Sequence, residues 1–227
     1  MDVILFGATG MVGQGVLREC LRDPEVEAVL AVGRGALTPE LTWPGLGKSG
    51  KLRQLVLPDL ANYASARPEL VGYDACLFCL GVSSAGMTED AYRRVTFGYT
   101  LAAAETLVEL NPAMTFLYIS GAGTDSTSKG RTMWARVKGE TENALLALPF
   151  QAAYMFRPGF IQPLHGIRSK TRSYRILYGI LAPLSPLLLR LFPKAMTTTE
   201  RLAKAMLRVA KQGYPRRILE AGDICSL

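Results

Sequence analysis

The sequence predicts an α/β protein: a doubly wound, mostly parallel sheet with helices on both faces and a small helical C-terminal cap. Three observations carry this reading. Short apolar runs alternate with segments of helical periodicity along most of the chain, the pattern of parallel strands covered on both sides. Each apolar run ends in Gly, Pro, Asp, Arg or Ser, residues that turn the chain or carry polar chemistry at the strand ends where such sheets bind ligands. The 227 residues are 49% hydrophobic and 20% charged. That is enough to build a core for one generous domain, and it excludes disordered and collagen-like classes.

Taken in order, Asp2-Val3-Ile4-Leu5-Phe6 is a buried strand that stops at Gly7. Over residues 11–21 the apolar positions Val12, Val16, Leu17, Cys20 and Leu21 recur at helical spacing, and Asp23-Pro24 ends the helix. Residues 26–32 form a second strand, closed by Gly33-Arg34-Gly35, and 35–51 read as loop. Strands follow at 52–57, 74–80, 114–119 and 152–156, with a long amphipathic helix over 88–110 and another over 132–148. Residues 1–165 form the core unit, and 166–227 form a cap that returns to it rather than an independent domain. Within that cap, 174–192 is apolar but broken by Pro183 and Pro186 and flanked by Arg175 and Arg190. It lacks the roughly 18–20 uninterrupted apolar residues of a membrane span. A lid or pocket-lining helix pair is expected there, with peripheral membrane contact through 174–193 as the alternative. Thr197 and Glu200 have capping-box spacing for a helix ending at Gly213, and 217–220 reads as a last strand.

The net charge of +7 is unevenly placed. Residues 165–227 carry 12 Lys+Arg against 3 Asp+Glu, whereas 1–164 carry 14 against 16. The basic residues follow no nucleic-acid reading motif and lack interleaved aromatics, so no nucleic-acid partner is expected. Solvated helix faces are the first reading of them, ahead of an acidic partner. The four cysteines do not make a disulfide framework in a chain this long, and no secretory signal precedes them; a reducing, cytoplasmic setting is expected. Cys76 and Cys79 have C-x-x-C spacing inside an apolar run, without a second pair for zinc, so packing is their expected role and no metal site is expected. Gly47-Lys48-Ser49 suggests a triphosphate loop, but the first glycine of that motif falls on Thr42 and a strand follows instead of a helix.

Gly7-Ala8-Thr9-Gly10-Met11-Val12-Gly13 sits at the first strand–helix junction with G-x-x-G-x-x-G spacing. There Gly7 allows the tight turn, Gly10 lets backbone approach a pyrophosphate, and Gly13 lets the helix pack close to the strand. This predicts a Rossmann-type dinucleotide site. An NAD-preferring site usually carries an acid at the end of the second strand. Here Ala31-Val32-Gly33-Arg34 has none until Glu40. Arg34 suits a 2′-phosphate, hence NADP(H) over NAD(H), unless it simply points into solvent.

With these residues the chain resembles the atypical short-chain dehydrogenase/reductases, and among them the Tat-interacting oxidoreductase-like branch. The resemblance covers about residues 2–165. Besides the glycine turn it rests on Gly33-Arg34, Pro58-Asp59-Leu60, Cys79-Leu80-Gly81, Val137-Lys138-Gly139-Glu140 and Phe156-Arg157-Pro158-Gly159. It implies that Asp59 and Leu60 border the adenine and Leu80 and Gly81 the adenine-side ribose. It further implies that Lys138 bonds the nicotinamide ribose, and that Pro158 and Gly159 lie beside the nicotinamide. The family's catalytic Tyr-x-x-x-Lys is here Trp134-Ala135-Arg136-Val137-Lys138. Indole has an N–H donor but is no acid or base near neutral pH. The expected catalytic set is therefore Ser120 and Lys138, with Trp134 in place of the tyrosine. Tyr118, Ser120, Thr124, Asp125, Tyr154 and His165 are conceivable substitutes that spacing does not single out, and His165, the one histidine, reads first as a structural loop residue. Two functions follow: an oxidoreductase acting on a small to medium carbonyl compound, or a non-catalytic NADP(H)-binding redox sensor acting through a protein partner.

Overall fold

The computed structural model describes residues 1–43, 46, 50–167 and 195–227. The expected elements over 174–192 lie outside them. The described strands are β1 (Asp2–Phe6), β2 (Ala28–Gly33), β3 (Leu52–Val56), β4 (Ala75–Phe78), β5 (Thr115–Ile119), β6 (Ala152–Arg157), β7 (Phe160–Gln162), β8 (Met196–Thr198) and β9 (Ile218–Glu220). The helices are α1 (Met11–Arg22), α2 (Glu89–Arg93), α3 (Tyr99–Leu110), α4 (Met133–Ala147), α5 (Thr199–Gln212) and α6 (Ala221–Ser226). Seven strands form one sheet in the order β3-β2-β1-β4-β5-β6-β9, and every pairing is parallel. This is the doubly wound Rossmann order, whose direction reverses between β1 and β4.

Period-two alternation explains why both faces need cover. Val3 and Leu5 on β1 pack with Val16, Leu17 and Cys20 of α1 and Leu202 and Met206 of α5. Ile4 and Phe6 pack on the other face with Ala103 and Leu107 of α3 and Leu145 of α4. Cys76 joins this second cluster and Cys79 packs against the first. All four cysteines are free. Burial pushes the Cys20 thiol up to about 12 and raises those of Cys76 and Cys79 as well, so these three are packing groups. No described helix is long and apolar enough to cross a membrane.

Four local expectations need correction. The helix expected over 88–110 is two helices joined through a π-helical turn at Arg94–Gly98. Val95, Thr96 and Gly98 are poor helix formers, and the Thr100 hydroxyl donates to the Thr96 carbonyl at 2.6 Å, loosening the regular ladder. The loop expected over 35–51 contains a 3-10 turn at Pro39–Thr42. The box expected between Thr197 and Glu200 does not form: Thr197 pairs with Ile161 in the small β7–β8 sheet. That extension makes Thr198 the N-cap, its hydroxyl accepting the Arg201 N–H at 3.1 Å. Finally, the last strand begins at Ile218 and is followed by α6, which the sequence reading did not foresee.

The C-terminal segment is built into the core. β9 forms the sheet edge beside β6, and α5 runs alongside α1, with Lys211 Nζ 2.7 Å from Asp23 Oδ2. Lys51 caps the C-terminus of α1 by donating to the carbonyls of Leu21 and Asp23, at 3.0 and 2.7 Å.

Candidate functional site

The turn after β1 is fixed by contacts that only glycine permits. Gly7 has φ +79°, and a Cβ there would lie 2.6 Å from the Leu80 backbone nitrogen. Its carbonyl takes the Gly10 N–H at 2.9 Å. A Cβ on Gly13 would fall 2.0 Å from the Gly7 oxygen, so Gly13 is what lets α1 start directly against the turn. Gly10, the N-cap of α1, supplies no side-chain cap, and no acid stands in the first helical turn. The opening N–H groups of α1 and the positive end of its dipole are left for an anion.

Beside this turn lies a cavity of about 280 Å³ at the carboxyl ends of β1, β2 and β3, lined among others by Thr9, Arg34, Leu37, Gln54, Leu60 and Leu80. Among the described residues no carboxylate lines it. Arg34 is exposed, Leu60 is buried, and Asp59 is exposed with Oδ1 accepting the Ala61 N–H at 2.9 Å. Gly81 follows Leu80 and is exposed. The structure thus gathers the glycine turn, Arg34, Leu60 and Leu80 around one hollow. Gln54 and Leu37 belong to it too and escaped the sequence reading. An exposed Gln in a strand carries no signal of its own. A larger hollow of about 450 Å³ lies between the C-terminal halves of α1 and α5, lined by Arg22, Asp23, Lys204 and Arg208 among others. It lies at the opposite ends of these helices from the glycine turn.

A second group stands at the carboxyl ends of β5 and β6. Lys138 lies one turn after Trp134 on α4, so the two share a face. Its ammonium donates to the Ser120 carbonyl. Burial lowers the Lys138 pKa to about 8, against the pull of Glu142. The Ser120 hydroxyl is buried and donates to the Phe156 carbonyl at 3.1 Å. The Trp134 ring lies over the turn after β5: a Cβ on Gly123 would sit 3.6 Å from its Cη2. Pro158 accepts the Ala122 N–H at 2.9 Å, and Gly159 passes so close to Ala195 that a Cβ would lie 2.2 Å from its oxygen. Ser120, Lys138 and Trp134 are therefore brought together, with the Pro158 backbone adjoining them.

The conceivable substitutes for the missing tyrosine are engaged elsewhere. Tyr118 is fully buried, and burial holds its phenol well above the usual range. Thr124 donates to the Gly121 carbonyl at 2.7 Å. Asp125 organises its own loop, accepting from Thr127, Lys129 and Gly130, and these bonds hold its carboxyl below the usual range. The Tyr154 hydroxyl accepts the Tyr214 N–H at 3.0 Å. His165 has φ +57° and sits 2.7 Å from Glu200, whose pKa falls to about 2 beside Lys204 and His165. The sequence reading also missed the buried ion pair of Arg157 and Glu142, extended by Glu220 at 3.0 Å, which ties α4 to β6 and β9.

No protein-family model matches the chain. It is 30% identical over 160 residues to rat HTATIP2, spanning 70% of this chain and 62% of the relative. It is 24% identical over 162 residues to the mitochondrial protein FMP52 of Candida albicans and 28% identical over 163 to that of Emericella nidulans, spanning 70% of this chain and 66% of each relative. The chain thus covers just under two thirds of these relatives. Among solved structures, a dTDP-glucose 4,6-dehydratase from Streptomyces venezuelae with NAD and TYD bound superposes with a TM-score of 0.73 at 14% identity, over 97% of this chain and 75% of that one. A short-chain dehydrogenase/reductase family oxidoreductase from Burkholderia thailandensis gives 0.70 at 15%, over 100% and 93%. At such identities these structures speak for the fold, which is the NAD(P)-binding one of short-chain oxidoreductases. The sequence relatives make the chain a homologue of HTATIP2 and FMP52, and the solved structures give it the fold that short-chain dehydrogenase/reductases share.

Proposed function

We propose that the chain binds NADP(H) in preference to NAD(H) and is an oxidoreductase acting on a small to medium, partly apolar carbonyl compound. The observation that carries this is the uncapped N-terminus of α1 opening beside the Arg34 cavity. Unpaired N–H groups and the helix dipole favour a pyrophosphate at that point. In this reading Gly7, Thr9, Gly10, Met11, Val12 and Gly13 cradle the phosphates. Asp59, Leu60, Leu80 and Gly81 border the adenosine half, Lys138 bonds the nicotinamide ribose, and Pro158 and Gly159 flank the nicotinamide. Bound there, the dinucleotide supplies hydride chemistry. The chain's own residues hold and orient it, and the Lys138 ammonium brings positive charge to the reacting end.

Arg34 sets the preference, since a guanidinium pairs with a phosphate in a cavity that offers a ribose hydroxyl no carboxylate. A charge-assisted contact of this kind is worth about 1.5–3 kcal/mol, or roughly 10–150-fold in affinity. NADPH is expected to bind more tightly than NADH by that order, and Arg34→Ala to remove the difference while leaving NADH affinity intact. Fluorescence titration with both cofactors measures it, and equal wild-type affinities would end the reading.

The regulator reading is favoured by one observation: Trp134 occupies the tyrosine position while Tyr118, Asp125, Tyr154 and His165 are engaged in structural contacts. In that version the same site binds NADP(H) and a protein partner reads its occupancy. The basic apolar segment 174–193 is proposed as a peripheral membrane contact in either case, because it pairs an apolar run with Arg175 and Arg190. Four free thiols fit a reducing compartment, proposed to be the cytoplasm, although the fungal relatives are named mitochondrial.

A further inference from the structure

Alternation on β3 sends Leu55 into the core and leaves Gln54 exposed, opposite Ala31 of β2. The chain leaves β2 at Gly33, turns through Arg34, Gly35 and Ala36, and returns so that the Leu37 N–H donates to Gln54 Oε1 at 2.8 Å. That bond fixes which end of the amide is which: the reverse orientation would set an NH₂ against an N–H. With its oxygen held by Leu37, Gln54 keeps its NH₂ as a pure donor. Gln54 and Arg34 line the same cavity, to which the described residues contribute no carboxylate. The polar side chains of β3 and the 33–37 turn that line it therefore end in donors, one of them cationic. A phosphate oxygen at neutral pH answers donors well, whereas a ribose hydroxyl is held best by a carboxylate acceptor, and none of the described lining residues supplies one.

We propose that Gln54 is a specificity-determining residue of this cavity: its Oε1 holds the 33–37 turn that carries Arg34, and its NH₂ favours a phosphate over a hydroxyl on the adenosine ribose. The inference rests on the NADP(H) reading and adds to it a residue on a different strand from Arg34.

Gln54→Glu tests it, because glutamate keeps the length of the side chain and the oxygen that accepts from Leu37 but exchanges the NH₂ for a carboxylate oxygen. That oxygen repels a phosphate and accepts from a hydroxyl. With folding checked by circular dichroism, the NADPH-to-NADH affinity ratio of Gln54→Glu is expected to fall by about tenfold or more, NADH binding being unchanged or tighter. An unchanged ratio, or equal loss of both cofactors, would overturn the assignment and leave Gln54 a purely structural prop. Arg34→Ala separates this from the parent reading. If it abolishes the preference while Gln54→Glu leaves the ratio alone, the inference fails and the NADP(H) reading stands. If the wild type has no preference and Arg34→Ala changes nothing, that reading fails, and movement of the ratio in Gln54→Glu still decides whether Gln54 discriminates.

Discussion

Gly10→Val is expected to give a folded protein that no longer takes up NADPH, whereas Gly13→Val should lose the fold. The two glycines stand three residues apart in one motif but meet different surroundings. Gly10 has φ −80°, ordinary for any residue. A Cβ there would meet the Gly7 oxygen at 3.3 Å, a contact that a small shift relieves. The rest of a valine side chain would then occupy space that a pyrophosphate needs at the start of α1. At Gly13 a Cβ alone would lie 2.0 Å from the Gly7 oxygen and 2.6 Å from its carbonyl carbon. Both are backbone atoms of a turn already fixed by its +79° φ and by the approach of Leu80, so neither can yield without moving α1 off the sheet. Overpacking costs typically about 1–3 kcal/mol where side chains can rearrange. Against backbone it should cost more, set beside a total stability of about 5–15 kcal/mol. Circular dichroism melts and NADPH titration check both. Losing two charge-assisted phosphate contacts corresponds to about 100-fold or more in affinity for Gly10→Val. Normal NADPH binding by a folded Gly10→Val would move the phosphate site away from this turn.

What the sequence made legible was local. Gly7, Gly10 and Gly13 identify the turn because their spacing and place after an apolar run are both covalent facts. Val3 and Leu5 against Ile4 and Phe6 display the two buried faces of β1. What escaped was created by chain distant in sequence. β7 and β8 are three residues each and pair across more than thirty positions, so no periodicity could announce them, and their pairing moved the start of α5 to Thr199. Gly15 and Gly139 lie inside α1 and α4, where glycine costs helix stability. In the fold, a Cβ would lie 2.8 Å from Thr199 Cβ at the first and 1.7 Å from the Asp125 oxygen at the second. Glycine within a helical pattern is the one available hint of such close packing. The Arg157–Glu142 pair had no hint at all, being made by a strand end and a helix fifteen residues apart. At the candidate site the phosphate-side glycines were readable. Gln54 was not, because its importance comes from a turn that returns to it.

The chemistry at the other end of the site turns on Trp134. Wild-type protein with NADPH is expected to reduce a broad carbonyl panel slowly or not at all, and Trp134→Tyr to raise the rate. Trp134 shares a helix face with Lys138, whose ammonium is held at the end of β5 by the Ser120 carbonyl. A tyrosine there is smaller than the indole it replaces, so the space over Gly123 accommodates it without overpacking. Its phenol would stand near a cation that favours the phenolate, the condition a proton-exchanging group needs. Positioned proton transfer contributes about 10²–10⁴-fold, and that is the gain expected if the rest of the machinery is intact. The Ser120 hydroxyl does not replace it, since its proton is already given to the Phe156 carbonyl. Lys138→Ala serves as the control: it should weaken NADPH binding in both backgrounds and cancel the gain in the double variant. A wild-type rate in the usual range of about 1–10³ per second would mean that another group carries the proton, and would defeat the regulator reading. No turnover in either protein, with tight NADPH binding retained in both, would favour the regulator, because restoring the phenol beside an undisturbed Lys138 removes the one chemical deficit that the described residues display.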